Sequence, residues 1–396
     1  MPITVAWSGA CLCGYIILIQ ILALNVAGAP LRWGFVGCGR ITNDFAAVIV
    51  ALPATEHQVY AFASRNISRA DDYACRFGAT KSYASYEALA KDPNVDVVYI
   101  GTINPTHYEI SKLMLANNKH VLCEKPLTLT KAHGDEILRI AEQKKLFFQE
   151  AILTRFFPAT IRMLNLAKNA TGEIRLVTAY LGQNSATSLR HVRKQLGGGS
   201  VKDRGGYVLQ HALAVFGNDL PDKISAVGQL NNESVDSMAA IELQWKGGRM
   251  ASLGFSLITA VMPAEANIYG SSATIKMPDT FARPTAVQLT NSANTTIENY
   301  PLPTVLDHRT FIANAAGMIY EAQEVRRCIL AGLLESPLLT HKDSLTILAI
   351  QDEVLKQIGV SYDSLYANGV FVGSSLEPEL QAPALSPVTC YNTFSH

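Results

Sequence analysis

The sequence is short of charge. Asp, Glu, Lys and Arg make up only 17% of its 396 residues, against roughly a quarter in an average globular protein. Much of the chain is therefore bound for burial, and disorder of the whole is excluded. An excess of either sign is also missing, because 33 basic residues face 33 acidic ones. Such a balance provides no field to gather nucleic acid or an acidic membrane surface, and a small neutral or mildly charged substrate is the expected partner. Clustered cysteine is lacking as well. The seven (11, 13, 38, 75, 123, 328 and 390) are scattered, with only Cys11 and Cys13 close together. Neither a zinc spacing nor a disulfide framework is legible, so no metal is expected.

Residues 1–31 contain no charged side chain, and Cys11 to Val26 is almost continuously apolar. The basic start of a secretory signal is absent, although Ala27-Gly28-Ala29 has the small residues of a cleavage site and Pro30 opposes cutting there. Roughly 20 apolar residues can span a bilayer, so residues 10–29 could serve as an anchor. Arg32 and Arg40 on the C-terminal side would then keep the rest of the chain cytoplasmic. Three readings stay open for residues 1–30: anchor, signal, or an extension added by gene assignment to a core starting near Leu31. At the other end, residues 363–396 are rich in Ser, Pro, Ala and Leu without periodicity and read as a flexible tail. The length exceeds what one core usually organises, which implies two domains between these ends.

The first, residues 31–150, alternates strands with helices and so calls for a doubly wound parallel sheet. Leu31-Arg-Trp-Gly-Phe-Val is a short apolar strand that breaks into Gly37-x-Gly39 and a helical pattern through Phe45, Val48, Ile49 and Leu52. Gly37 suits the turn, and Gly39 lets the main chain approach a pyrophosphate resting on the helix N-terminus. The third glycine of this dinucleotide fingerprint is missing, with Thr42 in its place. The next strand, His57 to Ser64, lacks the terminal carboxylate that would hold the ribose of NAD, whereas Ser64 and Arg65 suit a 2′-phosphate. NADP is therefore expected over NAD. Further strands are read at Val95 to Ile100, His120 to Cys123 and Leu146 to Gln149. Asn104 and Pro105 open one helix, with Asn104 as its cap, and Thr130 opens another. Ligands in such sheets lie beyond the carboxyl ends of the strands, where Gly37, Ser64, Thr102 and Glu124-Lys125-Pro126 all fall.

Lys125 directly follows a buried strand, a poor place for a solvated structural lysine. Farther on, a glycine run at 197–199 leads into a helical pattern to Phe216, on which Asp203, Tyr207 and His211 recur every four residues and share a face. Cys38 and Cys123, beside these motifs, favour a reducing compartment.

Taken together, Arg32-Trp33-Gly34, Gly37-Cys38-Gly39, Glu124-Lys125-Pro126, Thr154-Arg155-Phe156-Phe157-Pro158, Asp203-x-Gly205-x-Tyr207, Gly317-Met318-x-Tyr320-Glu321-Ala322 and Glu335-Ser336-Pro337 resemble the glucose-fructose oxidoreductase, inositol dehydrogenase and rhizopine-catabolism family. The resemblance runs from about Leu31 to Tyr362. It implies an α/β chain: an N-terminal doubly wound Rossmann domain, followed at 151–362 by a domain with an open, largely antiparallel sheet that serves as a homodimer face. The alternating stretches Glu173 to Leu181, Ile224 to Leu230, Ala239 to Gln244 and Arg249 to Thr259 fit its strands. It also implies that Lys125 and Tyr207 lie over the nicotinamide as an acid/base pair oriented by Asp203. Cofactor contacts would come from Gly37, Gly39, Arg40, Ile41, Ser64, Arg65, Thr102, Asn104, His107, Glu124 and Lys125, and substrate contacts from Arg155, Phe156 and His211.

The expected activity is NADP-linked oxidation of a sugar or cyclic vicinal diol, such as D-xylose to D-xylonolactone or trans-1,2-dihydrobenzene-1,2-diol to catechol. A non-catalytic NADP-binding regulator of the same fold is the alternative. Some residues depart from the family pattern. Lys202 and Arg204 flank Asp203 where relatives carry apolar residues, Leu153 stands where close relatives have Trp, and Phe281-Ala282 lies near another expected pocket Trp. Such a pocket loses aromatic walls, and Arg204 is placed to pair with Asp203.

Overall fold

The computed structural model describes residues 28–278, 280–305, 310–367 and 370–371. Its first sheet runs β3-β2-β1-β4-β5-β6, with β1 Leu31–Val36, β2 His57–Ala63, β3 Lys81–Tyr83, β4 Val97–Ile100, β5 His120–Glu124 and β6 Phe148–Ala151. Every pairing is parallel, so each connection crosses over through a helix. The crossovers use α1 Arg40–Ala51, α2 Ile67–Phe77, α3 Tyr86–Lys91, α4 His107–Ala116 and α5 Lys131–Lys144. With helices on both faces, β4 and β6 are buried at every residue, which explains the continuous apolar run Val-Val-Tyr-Ile of β4, while β6 carries Gln149 and Glu150 in its buried middle. One face holds an aromatic core in which Phe35 stacks on Phe62 at 4.7 Å and Phe45 on Tyr99 at 4.3 Å.

The expected helix starts hold in part. Thr130 caps α5 by accepting from the His133 backbone amide at 3.3 Å. Asn104 does not cap: it lies inside a short turn, Asn104–Thr106, ahead of α4, and its side chain donates to the Gly197 carbonyl at 3.0 Å instead. A longer-range demand, tying the first domain to the glycine run, outweighs local capping.

After α6 Pro158–Asn169, eight strands build the second sheet: β7 Ile174–Gln183, β8 Lys223–Leu230, β9 Asp236–Gln244, β10 Met250–Ser256, β11 Val261–Gly270, β12 Ala273–Met277, β13 Ala286–Asn291 and β14 Thr295–Asn299. Their order is β14-β13-β12-β11-β7-β10-β9-β8, antiparallel throughout except for β7 with β10. Strand β9 alternates buried and exposed residues along Ala239–Leu243, the signature of a sheet covered on one face only. The short helix α7 Leu189–Val192 and the longer α8 Gly206–Phe216 are inserted between β7 and β8.

The chain then returns to the first domain. Helix α9 Met318–Leu330 packs on α1, and α10 His341–Gln357 packs on α5 and α8. Arg326 Nε donates to the Glu56 carbonyl at 2.9 Å, and Asp352 accepts from the Lys131 amide at 2.8 Å. The last two helices thus clasp both domains. Order also extends beyond Tyr362, into the expected tail. Residues Tyr366–Ala367 pair with Val370–Phe371, and the Tyr366 hydroxyl donates to the Pro105 carbonyl at 2.9 Å. Among the described residues, no helix is long and apolar enough to cross a membrane. The anchor, signal and extension readings concern a segment of which residues 1–27 lie outside the described residues.

Candidate active site

The glycine turn after β1 has the shape a dinucleotide requires. Gly37 adopts φ +87°, and a Cβ there would meet Thr102 Cγ2 at 2.8 Å and the Gly101 carbonyl oxygen at 3.0 Å. Gly39 is the N-cap of α1, and no side chain caps the amides of the first turn. Open space lies before it, since the only contact a Cβ would make is at 3.8 Å. The amides of Arg40, Ile41 and Thr42 at a helix N-terminus therefore suit a pyrophosphate. The absent third glycine also has a structural answer. Thr42 is fully buried, and its Oγ1 would lie 2.3 Å from a Cβ on Gly101. The close helix–strand approach is kept by moving the glycine to the facing strand end. Arg40 lies over the Phe311 ring at 4.9 Å, while the Asp44 carboxylate accepts from the Phe311 and Ile312 amides.

At the end of β2, the Ser64 hydroxyl accepts from the Asn66 amide at 3.2 Å, and Arg65 is exposed beside the Tyr86 hydroxyl. Thr102 accepts at Oγ1 from Thr106 at 2.8 Å. His107, fully buried, spends its ring on protein: Nδ1 faces the Pro126 carbonyl at 2.8 Å and Nε2 the Thr102 carbonyl at 3.3 Å. Burial pushes its pKa down to about 4, so the neutral ring has one N–H to donate to one of these two carbonyls, and it packs between the loop after β4 and the cis Lys125–Pro126 turn. Glu124 also faces inward. It accepts from the Tyr99 hydroxyl at 2.7 Å and from the Lys125 amide at 3.2 Å, and burial raises its pKa. His107 and Glu124 thus shape the turn that carries Lys125.

Lys125 Nζ reaches across to the second domain. It donates to the Asp203 backbone carbonyl at 2.9 Å and to Asp203 Oδ1 at 3.2 Å, and it lies 5.0 Å from the centre of the Tyr207 ring. Asp203 belongs to a widened π-helical turn, Val201–Gly205, that precedes α8. Such turns recur at functional sites. Burial would push the Asp203 carboxyl up, but the charge of Lys125, a His191 hydrogen bond and the charges of Arg190 and Arg204 hold it well below the usual carboxylate range. Arg190 donates to Oδ1 at 3.0 Å, and Arg204 Nε lies 3.1 Å from Oδ2. Arg190 and His191 were not foreseen. Their only sequence signal is a basic run, Arg190-His191-Val192-Arg193, just before the glycines. Lys202 points the other way, fully buried, to Gln351 Oε1 at 3.1 Å and Asp352 at 3.4 Å.

The proposed substrate residues go elsewhere. Arg155 is buried, with Nε on Gln210 at 2.9 Å, one amino group on the Leu338 carbonyl at 3.2 Å and the other on Asp343 at 3.3 Å. Phe156 lies in the core. His211 packs edge-on to Phe281 at 5.5 Å, and burial followed by the charge of Arg155 lowers its pKa to about 3. The equal spacing of Asp203, Tyr207 and His211 predicts one stripe. The structure brings Asp203 and Tyr207 to Lys125 and leaves His211 in the interior, because His211 lies one regular helical turn beyond Tyr207, where Phe281 covers it. Among the described residues there is no metal-holding cluster.

Residues 31–151 match the model of an oxidoreductase family with an NAD-binding Rossmann fold, and residues 165–276 match the GFO/IDH/MocA C-terminal domain. The chain belongs to the GFO/IDH/MocA oxidoreductase family. It is an NAD(P)-dependent dehydrogenase. Within that family it is 40% identical over 333 residues to trans-1,2-dihydrobenzene-1,2-diol dehydrogenase of Danio rerio, covering 84% of this chain and 98% of that one. The Homo sapiens protein of the same name is 39% identical over the same shares. Two solved GFO/IDH/MocA-like structures share the fold. The 3-ketoreductase KijD10 from Actinomadura kijaniata, solved with NADP and TDP-benzene, superposes with a TM-score of 0.70 at 24% identity over 83% of this chain and 98% of its own. Levoglucosan dehydrogenase, in complex with NADH and levoglucosan, gives 0.74 at 19% identity over 83% and 97%.

Proposed function

We propose that this protein is an NADP-linked dehydrogenase of a cyclic vicinal diol or sugar, with trans-1,2-dihydrobenzene-1,2-diol and D-xylose as the representative substrates. The observation that carries this reading is the meeting of Lys125, Asp203 and Tyr207 at the carboxyl end of β5, on the same sheet edge as the Gly37–Gly39 turn. The cofactor fits that edge. Gly37 and the uncapped amides of α1 would hold its pyrophosphate, and Ser64 with Arg65 its 2′-phosphate. Bound nicotinamide supplies or accepts the hydride.

The remaining chemistry belongs to the chain. Asp203 fixes the Lys125 ammonium next to the Tyr207 ring, and Tyr207 with Lys125 forms the acid/base pair that moves the proton of the substrate hydroxyl. The names of the diol dehydrogenase relatives support the substrate class. Measuring NADPH formation with trans-1,2-dihydrobenzene-1,2-diol, D-xylose and D-glucose, each with NADP and with NAD, tests the reading. Turnover of at least one of them with NADP supports it. Cofactor binding without turnover of any would favour a non-catalytic regulator. The uncovered sheet face, which exposes Val227, Met238, Met250 and Tyr269, supports a homodimer through that face, which light scattering would check.

A further inference from the structure

The surroundings of Tyr207 hold more positive charge than the Lys125–Asp203–Tyr207 arrangement uses. One carboxylate, Asp203, is shared by Lys125 at 3.2 Å, Arg190 at 3.0 Å and Arg204 at 3.1 Å; Arg190 is half in solvent, whereas Lys125 and Arg204 are largely enclosed. The Arg204 Nε contact is off hydrogen-bond alignment, so this buried donor is attracted without being satisfied. A fourth cation, Arg283, comes from the segment before β13 and lies within electrostatic reach of Tyr207 and Arg204. Its Nε is also buried without an acceptor among the described residues.

Glu124 acts on Lys125 and Arg190, but among the described residues the nearby carboxylates do not balance Arg204 and Arg283. Asp44 is within reach of Arg283 but is already held by the Phe311 and Ile312 amides. Glu124 faces inward to Tyr99. Arginine cannot shed its proton to relieve the surplus, and an uncompensated charge taken out of water is costly. A neutral diol beside these groups would leave the surplus in place, whereas an anionic oxygen group would neutralise it and satisfy the idle donors with charge-assisted hydrogen bonds.

We infer that, within the diol and sugar class proposed above, the preferred substrate carries an anionic group, a carboxylate or phosphate borne on a polyol, that Arg204 and Arg283 bind on the Tyr207 side of the cleft. The neutral diols are the weaker members of that class. This rests on reading the cleft as the site of hydride transfer. It also makes these two arginines the determinants of specificity between charged and neutral polyols.

The test uses the full chain loaded with NADPH at low ionic strength. Binding of D-glucuronate, D-glucose 6-phosphate and D-glucose is followed by the change in fluorescence of the bound NADPH. One of the two anions should bind at least about tenfold more tightly than D-glucose, a modest return for one charge-assisted pair. Which anion does so separates carboxylate from phosphate. The advantage should vanish in Arg283→Gln and in Arg204→Gln while NADPH affinity is kept. Equal binding of D-glucose, no binding of either anion, or an advantage that survives both substitutions would overturn the inference. A loss of NADPH affinity in Arg283→Gln matching the loss of anion affinity would also overturn it, by assigning Arg283 to the cofactor. Binding is read without turnover, so a preferred anion that is never oxidised sinks the hydride-transfer reading alone. Turnover of a neutral diol without any anion preference sinks this inference alone.

Discussion

Lys125 is held to Asp203 twice, through the carboxylate at 3.2 Å and through the backbone carbonyl of the same residue at 2.9 Å. The two contacts join the end of β5 to the widened turn before α8, so one lysine registers the nucleotide domain against the second domain. Because the backbone carbonyl takes part, the ammonium position does not depend on the Asp203 side chain alone.

Recognition of the 2′-phosphate can be tested through Arg65, which is exposed at the end of β2. Arg65→Ala should raise the dissociation constant for NADPH by about ten- to a hundredfold, the worth of a charge-assisted contact, with little change for NADH. Equal losses for both cofactors, measured by fluorescence titration, would remove Arg65 from that role.

The relocated glycine makes a sharper structural prediction. In Gly101→Ala the new methyl would lie 2.3 Å from Thr42 Oγ1, and overpacking of this kind costs about 1–3 kcal/mol. Thermal melts should show the loss, and adding Thr42→Gly should recover part of it. No recovery would mean that the Tyr99 ring, 3.0 Å from the same methyl, sets the penalty.

Arg155 serves the fold, according to its partners. Arg155→Leu removes the buried counter-ion of Asp343, which keeps only its Thr340 hydrogen bonds. The substitution should cost about 3 kcal/mol of stability, the low end for breaking a buried pair, with KM of the folded enzyme nearly unchanged. A large rise in KM without loss of stability would return Arg155 to the substrate.

Stability should also fall on mild acidification, for a reason visible at His57. The Trp33 indole donates to His57 Nδ1 at 3.1 Å, and burial with the charge of Arg326 lowers the histidine to about 4. An unfolded histidine titrates near 6.5. Above that pH both states are neutral and the site contributes nothing. As pH falls from about 6.5 to about 4 the unfolded chain takes up the proton first, so stability drops by a total on the order of 3 kcal/mol. Glu124, Glu150 and Glu321, all raised by burial, act in the opposite sense. The difference between wild type and His57→Asn therefore isolates the histidine, and parallel pH profiles for the two would refute its part.

The sequence made the nucleotide domain legible because parallel strands buried on both faces leave continuous apolar runs, and glycine turns have fixed places between them. It was less informative about the second domain. Strands β11, β13 and β14 include many half-exposed residues and carry little periodic signal, and β12, Ala-Thr-Ile-Lys-Met, alternates over only five residues, so these strands are not legible in the sequence. Lys125, Asp203 and Tyr207 could be named together because motif and helical spacing agreed. His211 shared the spacing but not the site, since equal spacing along a helix does not tell how far along its axis the cleft extends, and one turn beyond Tyr207 the face is already covered by Phe281. Arg190 and His191 precede the glycine run and Arg283 lies about 80 residues beyond Asp203, and only folding brings the two arginine charges and the His191 ring to Asp203 and Tyr207.

The central claim is that Lys125 acts in proton transfer rather than in holding the cofactor or the fold. Single-turnover measurement on Lys125→Met, with NADP binding and thermal stability followed in parallel, tests it most directly. The account predicts a fall in the hydride-transfer rate of at least about a hundredfold, the lower range of general acid/base contributions, with NADP still bound and the fold intact. Hydride transfer at the wild-type rate in that variant would contradict it.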